Sequence, residues 1–422
     1  MNRVQWPRVK LADHVDLISG FPFKSAGFTA APVDIPLVKG ENVHQGSIDW
    51  NKAKRWPRNQ IAGMEKYWLK PGDVILAMDR PLIEAGLKQA CIRRHDPPSL
   101  LVQRVSRLRG INGLLTAYLR HLIGSPSFTD YIKPIVTGIN VPHISGAQIK
   151  GFEFRLPPRP AQERIASILS AYDDLIENNT RRIAILEEMA RRIYEEWFVR
   201  FRFPGHEGVR MVESELGLMP DGWAVTTLGR LAEVNARSVR RGAEPTEIRY
   251  VDISSVSTGS IDNKEPMLFA DAPGRARRIV QDGDVIWACV RPNRKSYSLV
   301  LDPEPNLLVS TGFAVLSPVA APWSFVYQCV TTDDFVSHLV NHATGVAYPA
   351  VGAEDFENAK VLKPTDGLAT AFDRIAEPMM RLVAALQRKN ANLRTTRDLL
   401  LPKLISGELD VSAMPEPEAL AA

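Results

Sequence analysis

The residues that could carry out chemistry in this 422-residue chain do not form a recognisable catalytic set. The segment Asp96-Pro97-Pro98-Ser99 matches three positions of an amino-methyltransferase motif, but that chemistry stacks an aromatic fourth residue on a flipped base, which Ser99 cannot do. The sequence contains no GxxxxGK[ST] phosphate loop and no glycine-rich turn suited to S-adenosylmethionine. Cys91, Cys289 and Cys329 form no C-x-x-C pair and the histidines are dispersed, so we expect neither a metal site nor a disulfide. A binding protein is therefore expected rather than an enzyme.

Basic and amide side chains are the better candidates for function, because such groups contact nucleic-acid phosphates and base edges. The formal net charge of +4 permits nucleic-acid binding without demonstrating it. The candidates lie in loops beside short motifs that occur twice in the chain, and a plain surface or turn-stabilising role is the alternative for each. They are Lys24, Ser25, Lys54, Arg55, Arg80, Lys133, Asn140 and His143 in the first half, and Arg240, Arg241, Arg275, Arg277, Arg291, Asn293, Lys295, Ser296 and Tyr348 in the second.

The composition is that of a folded protein with more than one domain. A chain of 422 residues exceeds the usual size of a single hydrophobic core, and 45% hydrophobic with 24% charged residues is typical of globular proteins. The sequence shows no signal-peptide pattern and no apolar stretch near the roughly 20 residues needed to span a bilayer. We therefore expect a cytoplasmic protein that does not bind membranes.

The two halves of the chain carry matching landmarks in the same order, which indicates an internal duplication. Each match alone could be an ordinary turn before a strand, but the matches are collinear. The paired landmarks are Trp6 with Trp223, Gly46-Ser47-Ile48-Asp49 with Gly259-Ser260-Ile261-Asp262, Gly72-Asp73-Val74-Ile75 with Gly283-Asp284-Val285-Ile286, Arg80-Pro81 with Arg291-Pro292, Thr137-Gly138 with Thr344-Gly345, and Arg164-Ile165-Ala166 with Arg374-Ile375-Ala376.

Each copy divides into a strand-rich globule and a long helix. The apolar runs 73–78 and 284–289 are bounded by glycine, proline and aspartate, as buried strands are. The segments 118–123 and 325–330 have the pattern of short helices. We therefore expect an α+β fold in each globule.

Two long helices are predicted from apolar residues spaced alternately by four and three, the pattern of a coiled-coil seam. The seam polar residues Asn179 and Lys389 fall at equivalent places, where they would fix the register. Pro378 is expected to interrupt the second helix and Pro402 to end or kink it. In the alternative, each helix packs on its own globule and Asn179 faces water. The predicted seam is Ile165, Leu169, Tyr172, Ile176, Asn179, Ile183, Leu186, Ile193 and Trp197 in the first helix, and Ile375, Leu382, Leu386, Leu393 and Leu400 in the second.

Several segments resemble the specificity subunits of type I restriction-modification systems, and together they cover nearly the whole chain. The second copy departs from the family pattern: 363–368 lacks the double proline and the Gln-Glu pair, so docking of a methylase by that helix is less secure. The segments that carry the resemblance are Leu17-Ile18-Ser19-Gly20-Phe21-Pro22-Phe23-Lys24-Ser25, Gln103-Arg104-Val105, 137–145, Leu156-Pro157-Pro158-Arg159-Pro160-Ala161-Gln162-Glu163-Arg164-Ile165-Ala166, Asp173-Asp174-Leu175-Ile176-Glu177, Trp197-Phe198 and Leu401-Pro402-Lys403-Leu404-Ile405-Ser406-Gly407-Glu408-Leu409.

The resemblance implies a non-catalytic subunit that reads double-stranded DNA and holds two modification subunits, with two restriction subunits joining for cleavage. S-adenosylmethionine would be bound by the modification subunit, and ATP and magnesium by the restriction subunit, with no cofactor on this chain. The implied fold has two similar target-recognition domains separated by a pair of long antiparallel coiled-coil helices with pseudo-two-fold symmetry. The expected segments are a first target-recognition domain at 1–156, a central helix at 157–203, a linker at 204–220, a second target-recognition domain at 221–364, a C-terminal helix at 365–410 and a flexible tail at 411–422.

The expected mechanism uses the helices as a ruler. A helix of about 40 residues is roughly 60 Å long, so each globule would read one block of bases while helix length sets the unread spacer. A coiled-coil adaptor whose globules bind proteins or another ligand is the alternative. Binding of random duplex DNA, with and without a modification subunit, would separate the two hypotheses.

Overall fold

The computed structural model describes residues 6–83, 86–137 and 141–411 of the chain. They fall into two compact units. Unit 1 joins the chain up to Asn178 to the chain from Asn390 onward, and unit 2 is Asn179–Lys389. Each unit therefore contains a globule and one stretch of each of two long helices.

The first globule is built from short strands and three short helices, and it leads into the first long helix. In chain order the elements are β1 (Arg8–Lys10), β2 (Val15–Ser19), β3 (Ile35–Val38), β4 (Arg55–Trp56), β5 (Val74–Ala77), β6 (Leu82–Ile83), β7 (Gly86–Leu87), β8 (Gln89–Cys91), β9 (Leu100–Leu101), β10 (Val105–Gly110), α1 (Thr116–Ile123), α2 (Pro126–Ile132), α3 (Gly146–Lys150), β11 (Glu153–Arg155) and α4 (Arg159–Tyr194).

The central sheet of unit 1 is antiparallel, with the strand order β2-β10-β5-β8. Strand β5 is buried along its whole length, which confirms the strand predicted from the apolar run. Gly72 makes the turn before it with φ of 93°, and the Asp73 carboxylate accepts hydrogen bonds from the Lys70 backbone N–H at 2.8 Å and from Arg109 at 2.5 Å. The repeated Gly-Asp landmark is thus the start of a strand, where glycine permits the left-handed turn and aspartate anchors it.

A π-helical turn, Glu195–Val199, follows α4 and leads into the second globule. The remaining elements are β12 (Met211–Ser214), β13 (Gly217–Pro220), β14 (Ala224–Thr227), α5 (Leu228–Leu231), β15 (Ala232–Val234), β16 (Glu247–Val251), β17 (Val256–Ser257), β18 (Ser260–Ile261), β19 (Glu265–Leu268), β20 (Ala276–Ile279), β21 (Val285–Ala288), β22 (Tyr297–Leu299), β23 (Leu307–Ser310), β24 (Phe313–Pro318), α6 (Trp323–Val330), α7 (Asp333–His342), α8 (Ala353–Glu357), β25 (Lys360–Lys363) and α9 (Asp366–Ile405).

The sheets of the two units follow the same order of connection. In unit 2 the antiparallel sheet is β15-β24-β21-β22, which repeats β2-β10-β5-β8 strand for strand. In unit 1, β3 runs parallel to β9, and β1 pairs with β11, the strand before α4. In unit 2, β16 runs parallel to β23, and β14 pairs with β25, the strand before α9. Helices α1 and α6 confirm the two short helices predicted at 118–123 and 325–330.

The second long helix continues through both prolines, contrary to expectation. Helix α9 runs unbroken from Asp366 to Ile405, with Pro378 and Pro402 inside it. A proline removes one intrahelical hydrogen bond, but packing supports the helix on either side: Phe372 and Met380 belong to the core of unit 2, and Leu404 to the core of unit 1. Burial of these side chains outweighs the local cost.

The predicted linker contains regular structure. Within 204–220, strands β12 and β13 form an antiparallel hairpin that pairs Met211 with Pro220. Across the described ranges, no helix has the length and apolar character required to cross a membrane.

Candidate nucleic-acid interface

Strand β5 of unit 1 ends in a backbone clasp that joins two of the repeated landmarks. The residues that follow the strand, up to Arg80, lie against the chain around His143, just before α3. We call this arrangement clasp 1. Its hydrogen bonds run from the Arg80 N–H to the Pro142 oxygen (2.6 Å), from the Ile144 N–H to the Met78 oxygen (2.9 Å) and from the His143 N–H to the Thr137 oxygen (2.7 Å).

Unit 2 contains the same arrangement at the end of β21, which we call clasp 2. Here Arg291 takes the place of Arg80, and Ala350 takes the place of His143. The repeated Arg-Pro and Thr-Gly landmarks, more than fifty residues apart in each half, therefore meet at one point of the fold. The hydrogen bonds run from the Arg291 N–H to the Pro349 oxygen (2.7 Å), from the Val351 N–H to the Cys289 oxygen (3.0 Å) and from the Ala350 N–H to the Thr344 oxygen (2.9 Å).

The arginine in each clasp has an unusual backbone conformation. Arg80 has φ of 44° and Arg291 has φ of 53°, in the left-handed region that non-glycine residues seldom occupy. Such conformations are concentrated at functional sites, where the surrounding structure holds them in place. The clasp hydrogen bonds supply that restraint and fix where each arginine side chain leaves the backbone.

The side chains of the two clasps differ in charge. In clasp 1, Asp79 accepts a hydrogen bond from Arg104 at 2.8 Å, and its other oxygen lies 2.6 Å from His143 Nδ1. Partial burial acts to raise the pKa of Asp79, but the hydrogen bonds from Arg104 and His143 outweigh it and hold that pKa below its ordinary value. The backbone bridge between Asp79 and His143 corresponds in clasp 2 to the bridge between Val290 and Ala350. The bridge of clasp 1 thus joins polar side chains, whereas the bridge of clasp 2 joins two apolar residues.

A cleft of about 460 Å³ opens beside clasp 1 and brings Arg80 and Ser25 together. Its walls also include the basic side chains of Lys39, Lys88 and Arg104. The carboxylates of Glu41 and Asp79 line it too and pair with Lys39 at 3.0 Å and with Arg104 at 2.8 Å. Burial, and next the charge of Arg80, lower the pKa of Lys88. The Arg80 side chain forms no hydrogen bond or ion pair with any residue that the structure describes. An anion bound in this cleft would relieve the repulsion between Arg80 and Lys88, so the cleft suits a phosphate.

Clasp 2 presents an aromatic ring with its arginine. The Arg291 guanidinium lies 4.7 Å from the centre of the Tyr348 ring, and Tyr348 is 69% exposed. The turn that follows contains the predicted residues Asn293 and Ser296, and Lys295 in this turn pairs with Asp333 at 2.7 Å. A stacked arginine and tyrosine form a flat surface able to contact bases as well as phosphates.

The other predicted DNA-contact residues lie outside the two clasps. Asn140 falls outside the described residues. Lys24 and Lys54 are exposed, Arg55 donates to the Pro32 and Asp34 carbonyls at 3.1 and 2.9 Å, and Lys133 pairs with Asp130 at 3.0 Å. Arg240 and Arg241 lie in an exposed turn, Arg275 pairs with Asp252 at 2.7 Å, and Arg277 lies 4.8 Å from the Phe269 ring centre.

Residues of the long helices that the sequence did not single out as site residues hold the helices in place. The buried Gln162 side chain accepts a hydrogen bond from the Leu115 N–H at 2.8 Å and donates to the Gly113 carbonyl at 2.9 Å. Asp173 accepts hydrogen bonds from Arg120 in the globule at 2.5 Å and from Arg397 in α9 at 2.7 Å. Both residues belong to segments that carry the family resemblance, so those motifs are the sequence signal that could have identified them.

The predicted seam of the first long helix lies on its packed face. Its buried members are Ile165, Leu169, Ile176 and Asn179, and its partly buried members are Tyr172, Ile183, Leu186, Ile193 and Trp197. Asn179 is 3% exposed, so it does not face water. In α9 the buried row differs from the predicted one. Ile375 and Leu382 are exposed and Ala376 and Val383 are buried in their place, whereas Leu386 is buried and Leu393 and Leu400 are partly buried.

The polar residue of the α9 seam is also one position later than predicted. Lys389 is exposed and Asn390 is 2% exposed, with its side-chain amide donating to the Ile176 carbonyl at 3.3 Å. The physical reason is that a packed helix buries a face about 100° wide. The buried face here includes the small residue Ala376 and the polar residue Asn390, which an apolar pattern does not count.

Comparison with known sequences points to one kind of protein. Residues 4–188 match a family described as the type I restriction modification DNA specificity domain. The specificity subunit of the type I restriction enzyme MjaIX from Methanocaldococcus jannaschii is 25% identical over 309 residues, which are 72% of this chain and 71% of that protein. The specificity subunit of the EcoAI enzyme from Escherichia coli is 33% identical over 173 residues, covering 41% of this chain and 28% of that protein.

Comparison with solved structures gives the same fold. The crystal structure of the S subunit of a type I restriction-modification system from M. genitalium superimposes with a TM-score of 0.61, covering 96% of this chain and 97% of that one. The sequence identity between the two is 15%, so this likeness concerns the fold alone.

Proposed function

We propose that the chain, which is similar to the specificity subunits of type I restriction-modification systems, is such a subunit and recognises a DNA site in two separate blocks, one read by each globule. The observation that carries this proposal is the pair of clasps. Each fixes an arginine of left-handed backbone conformation at the end of a buried strand. In this proposal Arg80 and the basic cleft beside it contact one half of the site, and Arg291 with Tyr348 contacts the other.

The matched architecture of the globules supports a duplicated reader. The four-stranded sheets share their strand order, and each clasp uses the same three backbone hydrogen bonds. Different side chains on the same framework are what two readers of different base sequences require, because specificity depends on a few side chains at base edges. The clasps differ in this way at their backbone bridges, which join Asp79 to His143 in clasp 1 and Val290 to Ala350 in clasp 2.

The long helices are proposed to form an antiparallel scaffold that sets the spacing of the two blocks and holds the modification subunits. Contacts within unit 1 support the antiparallel direction, since Ile176 meets Asn390 and the earlier residue Asp173 meets the later residue Arg397. In this assembly the chain is non-catalytic and binds two modification subunits, which carry S-adenosylmethionine. Two restriction subunits, which carry ATP and magnesium, complete the complex.

The proposal is tested by mapping the methylated sequence. The chain is co-expressed with its modification subunit in a host that lacks adenine methylation, and modified adenines are located by single-molecule sequencing. We expect a motif of two specified blocks around an unspecified spacer. Arg80→Ala should relax or abolish specificity in one block and Arg291→Ala in the other, with a cost of about 1–3 kcal/mol for each base that the arginine reads.

Arg159→Ala is the matched control, because Arg159 is an exposed arginine that pairs with Glu163 on α4 and lies outside both clasps. It should leave the motif unchanged. A methylated motif with a single continuous block, or a motif that neither clasp variant alters, would contradict the proposal.

A further inference from the structure

Unit 2 contains a cavity of about 320 Å³ that the proposed reading of DNA does not use. It lies where α4 and α9 pass the globule, beside strand β22 and helix α6. Leu299, Met380 and Val383 form apolar walls, while Glu187, Tyr297 and Gln328 contribute polar groups. The cavity thus combines an apolar lining with a small set of converging polar atoms, which is the usual composition of a ligand site.

Several polar groups in this cavity have no partner in the described part of the protein. Tyr297 is 8% exposed and Gln328 is 6% exposed, yet the Tyr297 hydroxyl and the Gln328 side-chain amide form no hydrogen bond with any described residue. The Tyr327 hydroxyl, which also faces the cavity, likewise has none. These polar atoms are not among the fully buried unpartnered atoms of the described residues, so they open onto the cavity, where a ligand could bond with them.

The charge facing the cavity is negative. Glu187 forms no ion pair within the described part of the chain. The neighbouring charges neutralise each other, because Arg191 pairs with Glu188 at 2.5 Å. Glu187 is exposed as a residue, and partial burial of its carboxyl group raises its pKa. A bound cation would supply the counter-charge that this carboxylate lacks.

Two aromatic rings add a preference for organic cations. The rings of Tyr297 and Tyr327 lie 6.3 Å apart at 77°, so one edge meets one face. Tyrosine faces attract ammonium and guanidinium groups, most strongly where water is excluded. The apolar walls would meanwhile contact the hydrocarbon stem of such a group.

We propose that this cavity binds an organic cation, an ammonium or guanidinium group on a short apolar stem, with Glu187 as the counter-ion and the two tyrosines around the charge. A free alkylamine and a lysine or arginine side chain from a protein partner share this chemistry. The cavity lies on the long helices rather than at a clasp, so the inference does not depend on how DNA is read.

The test is a ligand-observed NMR titration of the full chain with n-butylguanidinium, n-butylammonium and the neutral compound 1-pentanol. We expect saturable binding of both cations with millimolar Kd and at least tenfold weaker binding of the alcohol. Glu187→Gln should weaken cation binding at least tenfold, and Ala384→Leu, which fills the cavity without changing charge, should abolish it. Glu163→Gln, on the exposed face of the same helix in unit 1, is the matched control and should have no effect.

Thermal melting of each variant verifies folding. Equal binding of the alcohol, or cation binding unchanged in both Glu187→Gln and Ala384→Leu, would overturn the proposal. Repeating the titration on the complex with the modification subunit identifies the source of the cation. Abolished binding would show that a partner side chain fills the cavity, and retained binding would show a site for a free amine.

Discussion

The carboxylate of Asp173 on α4 accepts a hydrogen bond from Arg397 on α9 at 2.7 Å, although 224 residues separate the two in sequence. Its second oxygen accepts from Arg120 at 2.5 Å. The Asp173 and Arg397 side chains are 12% and 28% exposed, so water screens this ion pair little. One carboxylate therefore fixes the end of the second helix to the first helix and to the globule at once.

Removing this carboxylate should destabilise unit 1 strongly. Asp173→Asn leaves Arg120 and Arg397 without their charged partner, and breaking a largely buried ion pair in this way costs about 3 kcal/mol. The measurement is urea unfolding of the wild type and of Asp173→Asn, Arg397→Gln and the double variant. The double variant should be less destabilised than the sum of the single variants. Strict additivity would show that the two side chains do not interact.

The same ion pair predicts a pH dependence. Burial acts to raise the pKa of Asp173, but Arg120, His121 and Arg397 outweigh it, so the pKa lies below the ordinary value of 3.8. A carboxyl with a lowered pKa in the folded state stabilises the protein above its unfolded-state pKa, and this contribution disappears as the pH falls through the folded-state value. The stability difference between wild type and Asp173→Asn should therefore be constant from pH 5 to 7 and shrink below about pH 4. A difference independent of pH down to 3 would contradict it.

The sequence predicted well those features that depend on neighbouring residues. The run 73–78 contains the buried strand β5 (Val74–Ala77) because its apolar residues are contiguous and Gly72 precedes them. Which side chains meet across the fold could not be predicted, because Asp79 and His143 are 64 residues apart and their approach depends on the sheet order. The predicted register of α9 was wrong for a related reason: the buried Asn390 side chain donates to the Ile176 carbonyl, which lies 214 residues earlier in the sequence.

The burial of Asn390 in place of Lys389 in α9 can be tested by two alanine substitutions. Asn390→Ala removes a hydrogen bond at a buried position and should cost about 1 kcal/mol, the usual net value of such a bond. Lys389→Ala, one residue earlier and exposed, should change stability by less than about 0.5 kcal/mol. Urea unfolding of the two variants measures both values. A larger loss of stability in Lys389→Ala than in Asn390→Ala would show that Lys389, and not Asn390, is the polar residue of the seam.

The charge difference between the clasps predicts a compensating substitution. Asp79→Val introduces the valine that clasp 2 has at Val290 and leaves His143 without its acceptor, while the exposed Arg104 loses an ion pair of small energetic value. The melting temperature should therefore fall by about 2–4 °C, the shift expected for about 1 kcal/mol. Adding His143→Ala completes the apolar pair seen at Val290 and Ala350 and should recover most of the stability. Differential scanning calorimetry measures both shifts. A double variant less stable than Asp79→Val would show that the frameworks of the two clasps are not interchangeable.

The helix scaffold is tested by two isoleucines on the same turn of α4. Ile183 is partly buried, whereas Ile185 is 59% exposed. A charge placed at Ile183 must be withdrawn from water or must separate the packed helices, and either alternative is unfavourable. Ile183→Asp should therefore loosen the helix pair and reduce assembly with the modification subunit, measured as the mass of the complex by light scattering. Ile185→Asp introduces the same charge on the solvent side and should assemble normally. Equal assembly of both variants would mean that the helix pair is not the scaffold on which the modification subunits are held.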